Sequence, residues 1–491
     1  MWITEVSPRT GYSRVVIPRD IRATIAAALV ICATFAFAAD GLSAHFTPDD
    51  MMNLYGAWST PAANLLQGDR PLGALVYRGL FAMFGLNPLP YRVFCFSLML
   101  ANTALLFVFC LGLTRKREVG VLACLIGAYH AHLADLYYST GTAYDLFCYL
   151  FTFLTLVLYM RIRESGRYPT WRQHAVLLVL YLCALGSKEM AVVLPLYVTI
   201  YEWLYHSDIR HPWPHLSKWL VHGAQFLWVS VLVTAVYVVL KLTSPHSMIS
   251  NPAYAPHISL HVFMARWKFY LTDLFYGTIA FNSLKATMLW ATLIGLAVIA
   301  RRRELIFACC VILVGALPFI FIAPRGLFVM YLTLPGWYLY AGVSIVMVRD
   351  WLLQSLPRWA AGFEVRPEQL LLFVIVAVLL VPLHHREKLI GNGWPIVAEA
   401  HVGGQVRPVI EHLTLQHRSL PRGARVLFLS DPYPVDEWML TFMFRLYYKD
   451  KEIRVDRAKV WPELAQPAVR AQYDRVFVLD AEGLREVGKT E

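Results

Sequence analysis

The feature that most constrains this chain is a succession of apolar segments, each nearly long enough to cross a bilayer, separated by short basic runs. They cover approximately 21–40, 90–113, 119–136, 143–160, 174–186, 189–205, 219–242, 284–300, 305–323, 327–348 and 369–384. Inside hydrocarbon every backbone N–H and C=O must find a partner within the protein, so such segments predict helices. The chain is 58% hydrophobic and 16% charged, with mean hydropathy +0.50, which is more apolar surface than a soluble protein needs. A formal net charge of +11 raises the question of nucleic acid. The basic residues, however, sit in runs between apolar segments, such as Arg115-Lys116-Arg117 and Arg301-Arg302-Arg303. That is the pattern of loops held on the cytoplasmic side, and no nucleic-acid partner is expected.

With the N-terminus inside, Arg115 to Arg117, Arg161 to Arg172, His206 to Lys218, Arg301 to Arg303 and Arg349 to Arg366 all fall inside. The stretches 41–89, 137–142, 187–188, 243–283 and 323–326 then fall outside. Arg266, Lys268 and Asp273 make 262–281 a poor span, and counting it as one would move Arg301 to Arg303 outside. It is expected to lie in the interface with its aromatic residues at headgroup depth, leaving about 11 transmembrane helices. Arg14, Arg19 and Arg22 ahead of Ala23–Ala39 resemble a signal peptide, but the apolar run nearly spans and is read as an uncleaved first helix.

Two domains are expected. Residues 1–384 form the membrane domain, with short surface helices at 41–89, and 385–491 form a small external α/β domain. In the latter, 424–429, 452–455 and 473–479 read as strands and 436–448 as an amphipathic helix. Ser430-Asp431-Pro432-Tyr433 follows the first strand where a glycine-rich phosphate loop would stand, so no nucleotide site is expected. The eight cysteines lie in apolar segments without metal-type spacing and read as small core residues.

The outer side collects the candidates for chemistry. Asp49 and Asp50 stand side by side just after the first helix, followed by Tyr55, Asp69 and Arg70. His130, Asp135 and Asp145 bracket the second outer loop, Lys188-Glu189 breaks two helices, and Arg325 lies at a tight turn before Tyr331. A charge retained at a membrane edge pairs or does chemistry. Simpler readings stand beside this one: Asp69-Arg70-Pro71 as a surface turn, Lys188-Glu189 as a helix break and Arg325 as an interfacial anchor. His130 and His132 are two positions apart and do not share a helix face, so no metal site is assigned.

Taken together, these motifs resemble those of GT-C glycosyltransferases. The similarity lies in Pro48-Asp49-Asp50, Gly68-Asp69-Arg70-Pro71-Leu72, Leu80 to Pro88, Gly186-Ser187-Lys188-Glu189 and Pro324-Arg325-Gly326 through Leu332. Similar patterns occur in protein O-mannosyltransferases, lipid A aminoarabinose transferases and the O-mannosyltransferases that carry tetratricopeptide repeats. The resemblance covers roughly 20–350 and leaves the C-terminal domain outside. It implies an all-α polytopic GT-C fold and transfer of a hexosyl or pentosyl group from a polyprenyl-phosphate carrier to a hydroxyl on the external face. The acceptor class is protein, lipid or polysaccharide, and inversion at the sugar carbon follows from a single base-activated displacement.

By that resemblance Asp49 is the base and Asp50 its neighbour. Arg70, Lys188 and Arg325 hold phosphate, with Tyr55, Glu189 and Tyr331 beside the donor, and Asp69, Asp135, Asp145 and His130 are acceptor or second-loop contacts. The family pair is most often Asp-Glu rather than Asp-Asp, so the assignment of the base between Asp49 and Asp50 stays open. Divalent-metal dependence varies across the fold, and no cofactor is assigned. A bacterial inner membrane is expected, with the N-terminus cytoplasmic and the C-terminal domain periplasmic. The competing readings are a transporter or flippase, for which symmetric hydropathy repeats are missing, and an inactive GT-C-like assembly partner.

Overall fold

The computed structural model describes residues 21–65, 70–206, 217, 219–243, 252, 254–355, 367–391, 395–416, 419–480 and 482–488. Asp69, one of the candidates, lies outside the described residues. The chain is a helical bundle with a small sheet near its C-terminus.

Helix α1 (Ile21–Ala38) leads into a loop and then α2 (Pro48–Ser59). Thr47 caps α2 in a reciprocal capping box: its hydroxyl accepts from Asp50 N at 3.3 Å and its own N–H donates to Asp50 Oδ2 at 3.0 Å. Pro48, at the first helical position, has a preset φ and lacks an amide that would go unsatisfied there. Helix α3 (Pro71–Phe84) starts on Pro71 and stops at Gly85, whose φ of 57° suits glycine. Next come α4 (Pro88–Thr114), α5 (Arg117–Gly127), the short α6 (Ala134–Tyr138), α7 (Ala143–Glu164) and α8 (Trp171–Ser187). A 3-10 turn over Glu189–Val193 leads into α9 (Leu194–Tyr205). The bundle continues with α10 (Gln225–Thr243), α11 (Leu260–Leu274), α12 (Ser283–Ile299), α13 (Arg303–Ala316), α14 (Leu334–Ser355) and α15 (Pro367–Gly391).

Among the described residues, α4, α7 and α10 are long and apolar enough to cross a membrane, and up to five spans result if two bent pairs each count as one. Several expected spans are helices of lesser length. Helix α9 has 12 residues and α13 has 14, which at 1.5 Å per residue falls short of a ~30 Å core. The expected segment 119–136 is interrupted: α5 ends at Gly127 and the chain turns by 66° into the pair ending at Tyr138. A turn of 69° likewise sets α2 off from α1, and α2 packs against the C-terminal domain, outside the spans. The segment 327–348 begins as a 3-10 turn over Leu327–Met330 before α14.

Burial orders the bundle. The apolar stretch of α7 is 78% buried and that of α10 only 11%. Leu232, Val236, Val239 and Leu240 on α10 are exposed, a contiguous apolar face suited to lipid and costly in water.

After α16 (Pro395–Gln416) comes a four-stranded sheet of order β2-β1-β3-β4: β1 (Arg425–Ser430), β2 (Arg454–Arg457), β3 (Arg475–Asp480) and β4 (Gly483–Glu486). Strand β1 runs parallel to β2 and β3, and β4 closes one edge antiparallel to β3. Helix α17 (Met439–Tyr448) connects β1 to β2. The α/β expectation agrees with this arrangement, while β4 has no counterpart in the sequence reading. Past β1, the buried Asp431 carboxylate accepts from Arg457 at 2.6 and 2.9 Å and from the Tyr433 amide at 3.0 Å. An ion pair thus fills the strand end where doubly wound sheets bind ligands.

Helices α13 and α14 approach closely because Gly336 lacks a side chain: a Cβ there would sit 2.8 Å from the Ala308 carbonyl oxygen. Gly336→Ala should therefore destabilise the bundle by about 1–3 kcal/mol. Thermal unfolding of the detergent-solubilised protein checks this, and an unchanged midpoint would contradict the close packing.

Candidate active site

The candidate site is built around α2. Its capping box places two carboxylates in the first helical turn, where the helix dipole favours negative charge. Their surroundings then separate them. Asp50 is fully buried and both of its oxygens are engaged. Oδ2 accepts from Thr47 N at 3.0 Å and from Arg92 Nη2 at 2.9 Å. Oδ1 accepts from Gly141 N at 2.6 Å and Ser139 Oγ at 3.2 Å. Arg92 is itself 1% exposed and also donates to the carbonyls of Ala44 and His45 and to Thr140 Oγ1. Asp50 thus has no free lone pair directed at a substrate and acts as a joint between α2, α4 and the loop 139–142.

Asp49 is exposed at the crevice. One turn on, Asn53 Nδ2 donates to the Asp49 carbonyl at 2.8 Å, and Asn53 Oδ1 accepts from Tyr144 at 3.3 Å. Gly141 lets the loop lie close: a Cβ there would fall 3.3 Å from Asp49 Cβ. Partial desolvation and then the adjacent Asp50 push the Asp49 carboxyl above the usual aspartate range, with Arg325 pulling it back.

Among the described residues, the remaining charges form two ion pairs, and Arg325 stands without a carboxylate partner. Arg70 grips Glu189 through Nη2 at 2.8 and 3.0 Å and Nε at 3.2 Å, with its guanidinium 5.5 Å from the Tyr144 ring. Lys188 Nζ donates to both Asp145 oxygens, at 2.6 and 2.8 Å, with the Phe328 ring 5.4 Å away. Lys188 and Glu189 sit at the break after α8, so one chain interruption supplies a partner to each pair. Arg325 differs. Its guanidinium lies 3.9 Å from the Tyr254 ring centroid, its Nε is buried without a hydrogen-bond partner, and among the described residues no carboxylate binds it. Its backbone N–H donates to Tyr270 Oη at 3.3 Å. Asp135 comes to the same loop, since a Cβ on Gly326 would lie 2.9 Å from Asp135 Oδ2.

Electrostatic coupling draws Asp49, Asp50, Arg70, Asp135, Asp145, Lys188, Glu189 and Arg325 into one cluster, with Asp50, Asp145 and Lys188 buried beneath it and Asp49 exposed, and three other candidates are engaged elsewhere. Tyr55 faces the C-terminal domain, where its hydroxyl accepts from Arg445 Nη1 at 3.0 Å and its ring stacks on Phe442 at 5.0 Å. Six residues after Asp49, it falls on a different face of the helix. Tyr331 packs against Tyr149 at 4.8 Å and accepts from Asn102 Nδ2 at 3.4 Å, within the bundle. His130 lies flat against Tyr276 at 4.1 Å with its Nε2 3.0 Å from the Leu274 carbonyl oxygen. The sequence reading missed Arg92 and Tyr254. A lone arginine four residues inside an apolar helix could have flagged the first. Nothing local flags Tyr254.

No protein-family model and no curated protein matches the chain. The fold is similar to that of ArnT from Cupriavidus metallidurans bound to undecaprenyl phosphate, with TM-score 0.48 and 13% identity over 93% of this chain and 92% of that one. ArnT from the same organism in the apo state gives TM-score 0.46 and 11% identity over 93% and 92%. At TM-scores below 0.5 the likeness decides nothing about the site, whose chemistry lies in its own side chains.

Removing one partner of the inner pair should strand a buried charge. Arg92→Met or Asp50→Asn is expected to cost about 3–5 kcal/mol of stability, whereas Asp49→Asn at an exposed carboxylate should stay within about 0.5 kcal/mol of wild type. Melting temperatures of the three variants in one detergent check the contrast, and equal losses would refute it.

Proposed function

We propose that the protein is an integral-membrane inverting glycosyltransferase. It transfers a sugar from a polyprenyl-phosphate carrier to an acceptor hydroxyl on the external membrane face. The observation that carries this reading is the contrast between the two adjacent aspartates. Asp50 is locked by four hydrogen bonds, while Asp49 is open, with its pKa raised, and electrostatically coupled to Arg325, which has no carboxylate partner among the described residues.

Asp49 takes the proton of the acceptor hydroxyl as its oxygen attacks the anomeric carbon. The bond from that carbon to the phosphate oxygen breaks, and its electron pair leaves with the lipid phosphate. That leaving group is already a stable anion and needs charge stabilisation rather than a proton. Arg325 supplies it. Its donors are uncommitted, and a guanidinium suits bidentate contact with phosphate. Arg70 and Lys188 act from within their pairs with Glu189 and Asp145, adding positive potential. One displacement with one base gives inversion.

The membrane domain, the bacterial inner membrane and a periplasmic C-terminal domain complete the proposal. The apolar face of α10 and the distribution of basic loops support them. The C-terminal domain braces the back of α2, where Met51 and Leu54 share a core with Met439, Met443 and Phe444.

With purified protein and a panel of polyprenyl-phosphate sugars, Asp49→Asn should lower kcat by about 10²–10⁴-fold with melting unchanged. Full activity in that variant would defeat the assignment. Arg325→Gln should raise KM for the donor more than it alters stability. Since the base must be ionised, activity falls as pH drops through the Asp49 pKa, at higher pH than an ordinary aspartate would give. Arg325 draws that pKa down, so Arg325→Gln should shift the acidic limb further upward. A limb that stays put or moves down would separate Arg325 from Asp49.

A further inference from the structure

At the other end of the bundle, the ends of four helices meet around an open-sided cavity of about 320 Å³. Its walls include Arg115, Arg163, Glu164, Tyr201, Tyr205 and Arg303. Asp145 in the outer crevice and Arg163 here lie eighteen residues apart on α7, about 27 Å along its axis. This is the end where the basic loops gather, so it is the cytoplasmic face of the proposed topology. Trp171 (74% exposed) and Trp203 (58% exposed) stand near the same helix ends, as aromatic residues do at headgroup level.

The cations lining the cavity are not equivalent. Arg163 is neutralised within the protein: its Nε and Nη2 bond Glu202 at 2.6 and 3.1 Å, and Tyr159 and Trp219 donate to the same carboxylate. Arg115 Nη2 meets Glu164 at 3.0 Å, yet the Arg115 side chain is 63% exposed and keeps free donors. Arg303 lies 4.5 Å from the Tyr205 ring centroid and, among the described residues, has no carboxylate bound to it. Arg115 also ends α4 at φ 58°, a left-handed conformation in which glycine is the usual residue. The backbone would favour glycine there, and the chain instead carries a guanidinium to the cavity mouth.

We propose that this cavity binds the phosphate of an anionic phospholipid in the cytoplasmic leaflet, with Arg303 and Arg115 as its ligands. Basic pockets between membrane helices on this side take such headgroups, and the fork of guanidinium donors matches phosphate oxygens. The cavity has room for a phosphate together with its polar alcohol. The site is separate from the outer crevice and does not depend on sugar transfer.

The test uses the full chain in mixed micelles, probed with phosphatidylglycerol, phosphatidylcholine or inorganic phosphate, and reads retained lipid by native mass spectrometry. Phosphatidylglycerol should be retained about tenfold more strongly than phosphatidylcholine, because the two offer the same phosphodiester but the choline cation of the latter is repelled by the guanidinium groups of the cavity. Arg303→Gln and Arg115→Gly should each lose most of that preference. Arg115→Gly should keep or raise the melting temperature because it relieves the left-handed backbone, so lost binding cannot be put down to misfolding. Lys285→Ala, at an exposed lysine outside the cavity, should bind as wild type does. Equal retention of the two lipids, or undiminished preference in both arginine variants, would overturn the proposal. Displacement of phosphatidylglycerol by millimolar inorganic phosphate would overturn the lipid as the source of the phosphate.

Discussion

The candidate site depends on one buried ion pair, Asp50 with Arg92. Both groups are essentially fully buried, and such desolvation is tolerated only when the remaining donors and acceptors are satisfied. Here they are. The carboxylate takes four hydrogen bonds, and the guanidinium reaches two backbone carbonyls and a threonine besides. Because these partners come from the loop before α2, from α2, from α4 and from the loop before α7, the pair fixes four chain segments at one point. What Asp49 faces follows from that fixation.

The same constraint separates two residues that look interchangeable. Their carboxylates are neighbours in sequence, but successive helical positions point about 100° apart. One enters the protein and one meets the crevice. Helix α2 is thereby two-sided. Asp49 and Asn53 share the crevice side, while Met51, Leu54 and Tyr55 meet the C-terminal domain. Contact with that domain is therefore contact with the back of the helix that presents the proposed base. Around it, Arg70–Glu189 and Lys188–Asp145 neutralise charge in place, and among the described residues Arg325, held against Tyr254, has no carboxylate partner.

Much of this was legible in the sequence because it follows from local rules. Apolar length marked the helices, and alternation and turn residues marked β1, β2, β3 and α17. The loops after the first, third and later apolar segments carried charges that the fold brings into one cluster. What failed was long-range. The break at Gly127 and the shortness of α9 and α13 reflect tertiary packing rather than hydropathy, and β4 is too brief to show a pattern. The pairing of Arg70 with Glu189 joins residues 119 apart, so a list of free cations drawn from the sequence overstated how many would be free. Tyr55 was placed beside the donor on motif position alone, and only the helix face shows that it serves the domain contact. The acidic pair was found because it directly follows the first apolar segment, while the capping box of Thr47 and Asp50, and with it the division of roles within the pair, went unread.

The central claim is that an anion on a lipid carrier lodges at Arg325 beside Asp49. Its most direct test is an electron cryomicroscopy structure of the protein in nanodiscs with a polyprenyl phosphate. The account predicts phosphate density within hydrogen-bonding distance of the Arg325 guanidinium, adjacent to the Asp49 carboxylate, with the Asp50–Arg92 pair intact. Phosphate bound outside the reach of Arg325, or bridging Arg92 with Asp50 displaced, would contradict it.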